Sequence, residues 1–110
     1  MLASHRRLRR PVEIQDVFRT GEAFFSPYCK VVARNSPDRE ESRFAVIVGK
    51  KAAKKAVTRN RIKRRLRAAI RESIPSLAHS SDIIVIGNAR VLDAPYEDLV
   101  RHLSAIFYKI

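Results

Sequence analysis

Tryptophan is absent from this chain of 110 residues, cysteine and methionine occur once each, and glycine occurs only three times. The single cysteine, Cys29, cannot form an internal disulfide, and the three histidines are too scattered to give the ligand spacing of a zinc site. No apolar run approaches the length of a transmembrane helix. These absences predict a cytoplasmic protein that binds no metal and no small-molecule cofactor through a motif of its own.

The first ten residues contain four arginines but lack the apolar stretch that a signal peptide or a lipid anchor needs. With 45% hydrophobic and 31% charged residues, the rest of the chain has the composition of a folded domain. Its length suits a single domain with one modest core, spanning residues 1–110. The sequence leaves open whether the basic leader, residues 1–10, is ordered.

Hydrophobic periodicity predicts three helices: one from Pro11 that stops at Gly21, one from near Lys55 that stops before Pro75, and one over residues 93–107. Aromatic and β-branched runs predict four strands, at residues 24–25, 28–34, 44–48 and 83–86. The last two runs are almost continuously apolar, which is typical of central strands buried on both faces. The predicted fold class is therefore an α/β (α+β) two-layer sandwich, with a small four-stranded sheet and three helices.

Acidic residues are scarce where basic residues are dense. The chain has 23 Lys and Arg against 11 Asp and Glu, and a net charge of +12 calls for an anionic partner. Residues 42–71 contain no acid at all, yet they hold twelve of the basic residues. Nucleic acid suits this stretch better than a membrane does, because the apolar side of the long helix is needed to cover the sheet.

The long predicted helix carries its charge on one side. At about 100° per residue, the side opposite Ile62 and Leu66 holds Asn60, Lys63, Arg64, Arg67 and Arg71. Arg59 instead falls beside Ile62 and Leu66, where an unpaired buried guanidinium is costly. It therefore either lies at the helix entrance, within reach of an anionic ligand, or pairs with an acid.

Lys50-Lys51, followed by Ala56-Val57-Thr58-Arg59-Asn60-Arg61-Ile62-Lys63-Arg64-Arg65-Leu66-Arg67, closely resembles the signature of the bacterial ribonuclease P protein family. The resemblance extends in order over nearly the whole chain. It implies a left-handed crossover around the signature helix, against the usual right-handed rule. It also implies that the partners are a catalytic ribonuclease P RNA and precursor tRNA, from which the complex removes the 5′ leader.

The resemblance implies two sets of site residues. Those expected to contact the catalytic RNA are Lys50, Lys51, Lys54, Lys55, Arg59, Asn60, Arg61, Lys63, Arg64, Arg67 and Arg71. Those expected to line a groove for the single-stranded leader are Phe18, Tyr28, Lys30, Val32 and Arg34. Many family members carry an aromatic residue where this chain has Ile14, and Phe18 as a core residue is an equally good interpretation.

The chain shows neither the clustered carboxylates nor the paired histidines that RNA hydrolysis by a protein requires. Asp82 is expected at a strand edge, and no catalytic residue is predicted. The chemistry is instead assigned to the RNA with bound Mg²⁺, so that the protein is the subunit of an RNA-based endoribonuclease. Two alternatives stay open: a structural or ribosomal RNA-binding protein with no role in cleavage, and a DNA-binding protein with its basic helix in the major groove.

Overall fold

The computed structural model describes residues 6–110, which form three α-helices and one four-stranded sheet. In chain order the elements are α1 (Pro11–Thr20), β1 (Glu22–Phe25), β2 (Cys29–Asn35), β3 (Arg43–Ile47), α2 (Ala56–Ser73), β4 (Ser81–Gly87) and α3 (Tyr96–Lys109). Short 3₁₀ turns follow α2 at Ile74–Ser76 and β4 at Ala89–Leu92. The predicted fold class is confirmed.

The sheet has the strand order β1-β2-β4-β3, with β3 and β4 parallel and the other pairs antiparallel. Helix α2 is the crossover between the two parallel strands, and its left-handed sense stays a prediction. The expectation that the run at residues 83–86 is a central strand is confirmed. The same expectation for residues 44–48 is wrong, because β3 lies at the sheet edge and β2 takes the central position.

The N-terminal segment explains how an edge strand can be so apolar. Arg7 forms an isolated parallel bridge with Phe44, and the Leu8 N–H donates to the Phe44 carbonyl at 2.7 Å. Leu8 is itself buried, and Arg6 pairs with Glu41 at 3.2 Å. Residues 6–10 of the basic leader are therefore docked on the domain, whereas residues 1–5 lie outside the described chain.

Helices α2 and α3 cover one face of the sheet and form the larger core. Ile62, Leu66 and Ile70 of α2 are completely buried there, and the rings of Phe44 and Phe107 stack with centroids 5.9 Å apart. Cys29 is part of this core, and burial raises the pKa of its thiol. No helix within residues 6–110 is long and apolar enough to cross a lipid bilayer.

Helix α1 covers only part of the opposite face, over a small cluster of Leu8, Val17, Val32, Ala45 and Ile84. It begins at Pro11, whose missing N–H is no loss in a first turn. It ends at Gly21, where an added Cβ would lie 2.5 Å from the Val17 oxygen and 2.9 Å from the Ala33 oxygen. Glycine thus lets the end of α1 approach β2 closely.

Candidate RNA-binding surfaces

The outer side of α2 is the most strongly basic feature of the molecule. Asn60, Arg61, Arg64 and Arg71 are exposed, and Lys63 and Arg67 are half-buried, whereas Ile62 and Leu66 on the inner side have no exposed surface. Within residues 6–110, no carboxylate lies within ion-pair distance of a lysine or arginine of α2. These cations are therefore not neutralised by the described part of the chain.

The start of α2 adds to the positive charge of this surface. Its first turn contains no acidic residue, although the positive end of the helix dipole favours one there. Four exposed lysines precede it on the connection from β3, namely Lys50, Lys51, Lys54 and Lys55. An anion approaching this end of the helix meets lysine side chains and unneutralised backbone N–H groups.

Arg59 has a structural role at this end of α2. Its Nη1 donates to the carbonyl oxygens of Ala53 at 3.0 Å and Lys54 at 2.7 Å, so the side chain closes the connection onto the helix. It is half-buried and pairs with no described acid, so that alternative for Arg59 is wrong. It does lie at the helix entrance, as the other alternative expects.

Arg65 is the second arginine of α2 whose guanidinium is bonded to backbone carbonyls of the protein itself. Its Nε donates to the Val91 carbonyl at 3.1 Å and its Nη2 to the Ala94 carbonyl at 2.5 Å. These bonds tie α2 to the segment that leads into α3. They are contacts between residues far apart in sequence, so neither charge nor helical spacing gives a signal for them.

The sheet face beside α1 is ordered in three rows across β2, β4 and β3. The registers place Lys30, Ile86 and Ile47 in the first row, Val32, Ile84 and Ala45 in the second, and Arg34, Asp82 and Arg43 in the third. Residue Val17 of α1 packs on the second row. The first row is left open, because Lys30 is exposed and both isoleucines are only half-buried.

Helix α1 forms one wall of an apolar groove over that first row. Ile14 packs beside Ile47 and Ile86, and Phe18 follows Ile14 by four residues, on the same stripe of the helix. Phe18 is 43% exposed, so its interpretation as a buried core residue is wrong. Phe25 of β1 pairs with Lys30 and extends the row on that side. Its ring is 74% exposed, and the Lys30 Nζ lies over it, 5.7 Å from the ring centroid.

Of the five residues predicted to line this groove, only Phe18 and Lys30 lie on its open side. Val32 is buried under α1 and has almost no surface for a ligand. Tyr28 lies on the opposite face of the sheet, which α2 and α3 cover. Its ring is edge-to-face with that of His102 of α3, with centroids 5.3 Å apart. Arg34 lies in the third row, where its guanidinium contacts Asp82 and Thr20, each at 3.4 Å.

The third row is an ion-pair network. Arg43 donates to both oxygens of Asp82, at 3.0 and 3.1 Å, and to Glu13 of α1 at 2.7 Å. Asp82 is a buried acid on the central strand β4, so its expected position at a strand edge is wrong. Burial by itself raises the pKa of Asp82, but the bonds and charge of Arg43, with help from Ser36 and Arg34, hold that pKa below its ordinary value.

A basic helix that has no acid from Ala56 to Arg71, mounted on a small mixed sheet beside an open groove, defines an RNA-binding α/β sandwich. No group of three or more His, Cys, Asp or Glu side chains within residues 6–110 is arranged to hold a metal ion. The family model described as ribonuclease P matches residues 2–110 of this chain. The chain belongs to the ribonuclease P protein family, the protein component of an RNA-based endoribonuclease with a role in tRNA 5′ maturation.

Individual relatives agree with the family model. The ribonuclease P protein component of Microcystis aeruginosa is 34% identical over 106 residues, covering 94% of this chain and 88% of that protein. That of Pseudanabaena is 31% identical over 109 residues, covering 99% and 94%. The RNase P protein from Thermotoga maritima has the same fold, with a TM-score of 0.82 at 24% identity, covering 94% of this chain and 96% of that one.

Proposed function

We propose that this chain binds the catalytic RNA of ribonuclease P through the outer side of α2 and the lysines before it. The observation that carries the proposal is that these cations have no acidic partner among residues 6–110. Like charges three and four residues apart repel within a helix, so an all-basic face is stabilised when phosphates neutralise it. Arginine suits this role because its planar guanidinium grips a phosphate with two hydrogen bonds.

The two internally bonded arginines support this role indirectly. Arg59 holds the connection before α2, and Arg65 holds the segment after β4. The exposed arginines between them project from a helix fixed near its start and again midway along it. A surface that is rigid before binding loses less conformational freedom on contact with a folded RNA.

The groove between α1 and the first row of the sheet is the proposed site for the 5′ leader of precursor tRNA. Its exposed aromatic rings, Phe18 and Phe25, can stack on unpaired bases, and Lys30 can meet the backbone. The groove lies next to the connection that carries Lys50, because Ile47 ends β3 only three residues earlier. Leader and catalytic RNA would thus be held side by side by one small protein in the cytoplasm.

The cleavage chemistry belongs to the RNA partner in this proposal. Magnesium held by the RNA would activate the attacking water, while the protein positions the substrate and neutralises phosphates so that RNA elements can approach each other. No side chain of this protein is assigned a catalytic role.

The direct test is reconstitution with a bacterial ribonuclease P RNA at limiting Mg²⁺. Adding the protein is expected to restore removal of the 5′ leader from a precursor tRNA. The triple substitution Arg61→Gln, Arg64→Gln and Arg71→Gln is expected to abolish the rescue, while Arg101→Gln on α3 leaves it intact. Binding of structured RNA without any rescue of cleavage would favour the alternative of a structural RNA-binding protein, and preference for duplex DNA in competition would favour the other.

The groove is tested separately by Phe18→Ala, with Val12→Ala as the matched control because Val12 is an exposed apolar residue elsewhere on α1. Loss of a stacking ring is expected to weaken binding by about 1 to 3 kcal/mol, since that is the usual contribution of one stacked base. The measurement is affinity for precursor tRNA with a long leader and with none. An equal loss for both substrates would show that the groove does not hold the leader.

A further inference from the structure

A cavity of about 530 Å³ lies between α2 and the 3₁₀ turn that follows β4. Its lining consists of Arg61, Arg64 and Arg65 on the helix, with Leu92 and Asp93 on the opposite side. The three arginines have the spacing i, i+3 and i+4, so they form one stripe of α2. Arg61, Arg64 and Asp93 are exposed, so a ligand can reach the cavity from solvent. Its volume falls within the range of about 300 to 1,000 Å³ that is usual for small-ligand pockets.

Arg65 fixes the distance between the two walls of this cavity. The carbonyls that its guanidinium bonds belong to Val91 and Ala94, the residues on either side of Leu92 and Asp93. Val91 is completely buried in the larger core, so this wall is anchored to the fold. Both walls are thus held in place before a ligand arrives, and less conformational freedom is lost on binding.

Asp93 is an acid that the protein's own cations leave unpaired. It precedes α3 by three residues and is not one of the acids in the first turn of that helix, which are Glu97 and Asp98. No lysine or arginine within residues 6–110 lies within ion-pair distance of its carboxylate, although three arginines line the same cavity. The cavity therefore presents hydrogen-bond donors on one wall and an acceptor on the other, too far apart to neutralise each other.

This arrangement disfavours a simple ion of either sign. A phosphate would meet the Asp93 carboxylate, and a cation would meet the arginine stripe. The ligand that fits is a neutral, flat group with two adjacent donors on one edge and two adjacent acceptors on another. Among the four RNA bases only guanine has both, because N1–H and the N2 amino group donate side by side, whereas O6 and N7 accept side by side.

We propose that this cavity is a binding site for a guanine base. The Asp93 carboxylate accepts from N1 and N2 of the base, and Leu92 packs against its ring. A guanidinium of the arginine stripe donates to O6 and N7. The base is either an unpaired guanine of an RNA that lies on α2 or the base of a free guanine nucleotide, and the same chemistry recognises both. The inference adds base selectivity to the proposed function, and only its RNA form rests on that function.

The first test compares the four ribonucleoside monophosphates in NMR titrations of the full chain, followed at the amide signals of Leu92 and Asp93. Because all four nucleotides carry the same phosphate, a preference among them reports the base. Guanosine monophosphate is expected to bind about 5- to 100-fold more tightly than the other three, which is the usual discrimination of one bidentate contact. Equal affinities for all four would overturn the proposal.

The substitution Asp93→Asn tests the role of the carboxylate. A carboxamide offers one acceptor and one donor, so the preference should shift from guanosine monophosphate to xanthosine monophosphate, whose ring carries an oxygen in place of the 2-amino group. Asp38→Asn is the matched control, because it makes the same change at an exposed acid in the loop after β2 and should keep the guanine preference. A guanine preference that survives Asp93→Asn would contradict the proposal.

Affinity for the catalytic RNA distinguishes the two sources of the base. If an RNA guanine fills the cavity, Asp93→Asn weakens RNA binding, even though loss of a negative charge beside arginines would otherwise strengthen it. If the cavity takes a free nucleotide, RNA affinity stays equal or rises while the shift to xanthosine monophosphate persists. The nucleotide titrations depend neither on cleavage nor on RNA binding by α2, so this inference and the proposed function fail separately.

Discussion

Two groups of arginines in this molecule have opposite surroundings. Under α1, Arg34 and Arg43 share the buried carboxylate of Asp82, and Arg43 also reaches Glu13. On the outer side of α2, Arg61, Arg64 and Arg71 meet no carboxylate within residues 6–110. Basic composition alone therefore does not mark a binding surface: the informative feature is a cation that the fold leaves without an acid.

The largest effect on stability is expected when Arg34 and Arg43 lose the carboxylate of Asp82. Asp82→Ala removes the buried carboxylate that Arg34 and Arg43 share and leaves Arg43 with Glu13 alone, which should lower the free energy of unfolding by about 3 kcal/mol. Urea unfolding measures it, with Asp38→Ala as the control, because Asp38 is an exposed acid in the loop after β2. A loss as small as that of the control would mean that the network contributes little to the fold.

Arg65→Gln should have the next largest effect on stability. The substitution removes two charge-assisted hydrogen bonds to carbonyl oxygens, and a loss of about 2 kcal/mol is expected because each such bond contributes roughly 1 to 3 kcal/mol. The matched control is Arg64→Gln, its neighbour on the exposed side. Equal stability of the two variants would contradict the division of α2 into internal and external arginines.

The pH dependence of stability tests the ion pairs of Asp82 and Glu13 in the unsubstituted protein. The folded pKa of Asp82 lies below its ordinary value of 3.8, and the hydrogen bond to Arg43 likewise lowers that of Glu13. Their stabilisation is therefore fully present above those ordinary values and is lost as pH falls through the folded pKa. Unfolding measured in urea from about pH 5 down to about pH 2 should show this loss, with a shallower decline in Asp82→Asn. Parallel pH curves for the two proteins would be evidence against a lowered pKa.

Local pattern was enough to predict the helices, the strands and the charged side of α2. Each depends on residues a few positions apart: Ile62 and Leu66 must face a core, so Lys63 and Arg64 between them must lie on the outer side. The resemblance added the family and a groove beside Phe18. Phe18 and Lys30 lie beside that groove, and their contact with a leader stays a prediction.

Contacts between distant residues could not be predicted. The outer edge of β3 is bonded by the N-terminal segment through the Leu8 N–H and the Phe44 carbonyl, and no periodic pattern relates these two residues. The alternation of side chains along β2 correctly places Val32 on the same face as Lys30 and Arg34. Its burial, however, depends on where α1 crosses the sheet. Tyr28 lies in the bend before β2 and does not share the strand's alternation. Its ring therefore faces His102 instead of the groove.

The smallest effect on stability, and the sharpest test of the comparison, is expected for Arg64→Gln. Its side chain is exposed on α2 and makes no ion pair within the described chain, so the free energy of unfolding should change by no more than about 0.5 kcal/mol. Binding to the catalytic RNA should nevertheless weaken, and its log–log salt slope should flatten by about one unit, because one phosphate contact is lost. Asp82→Ala, measured at a temperature where it remains folded, should keep the full slope while losing stability. If the slopes of the two variants were interchanged, the paired arginines under α1 would be the ones that contact RNA, and the division drawn between the two groups would be wrong.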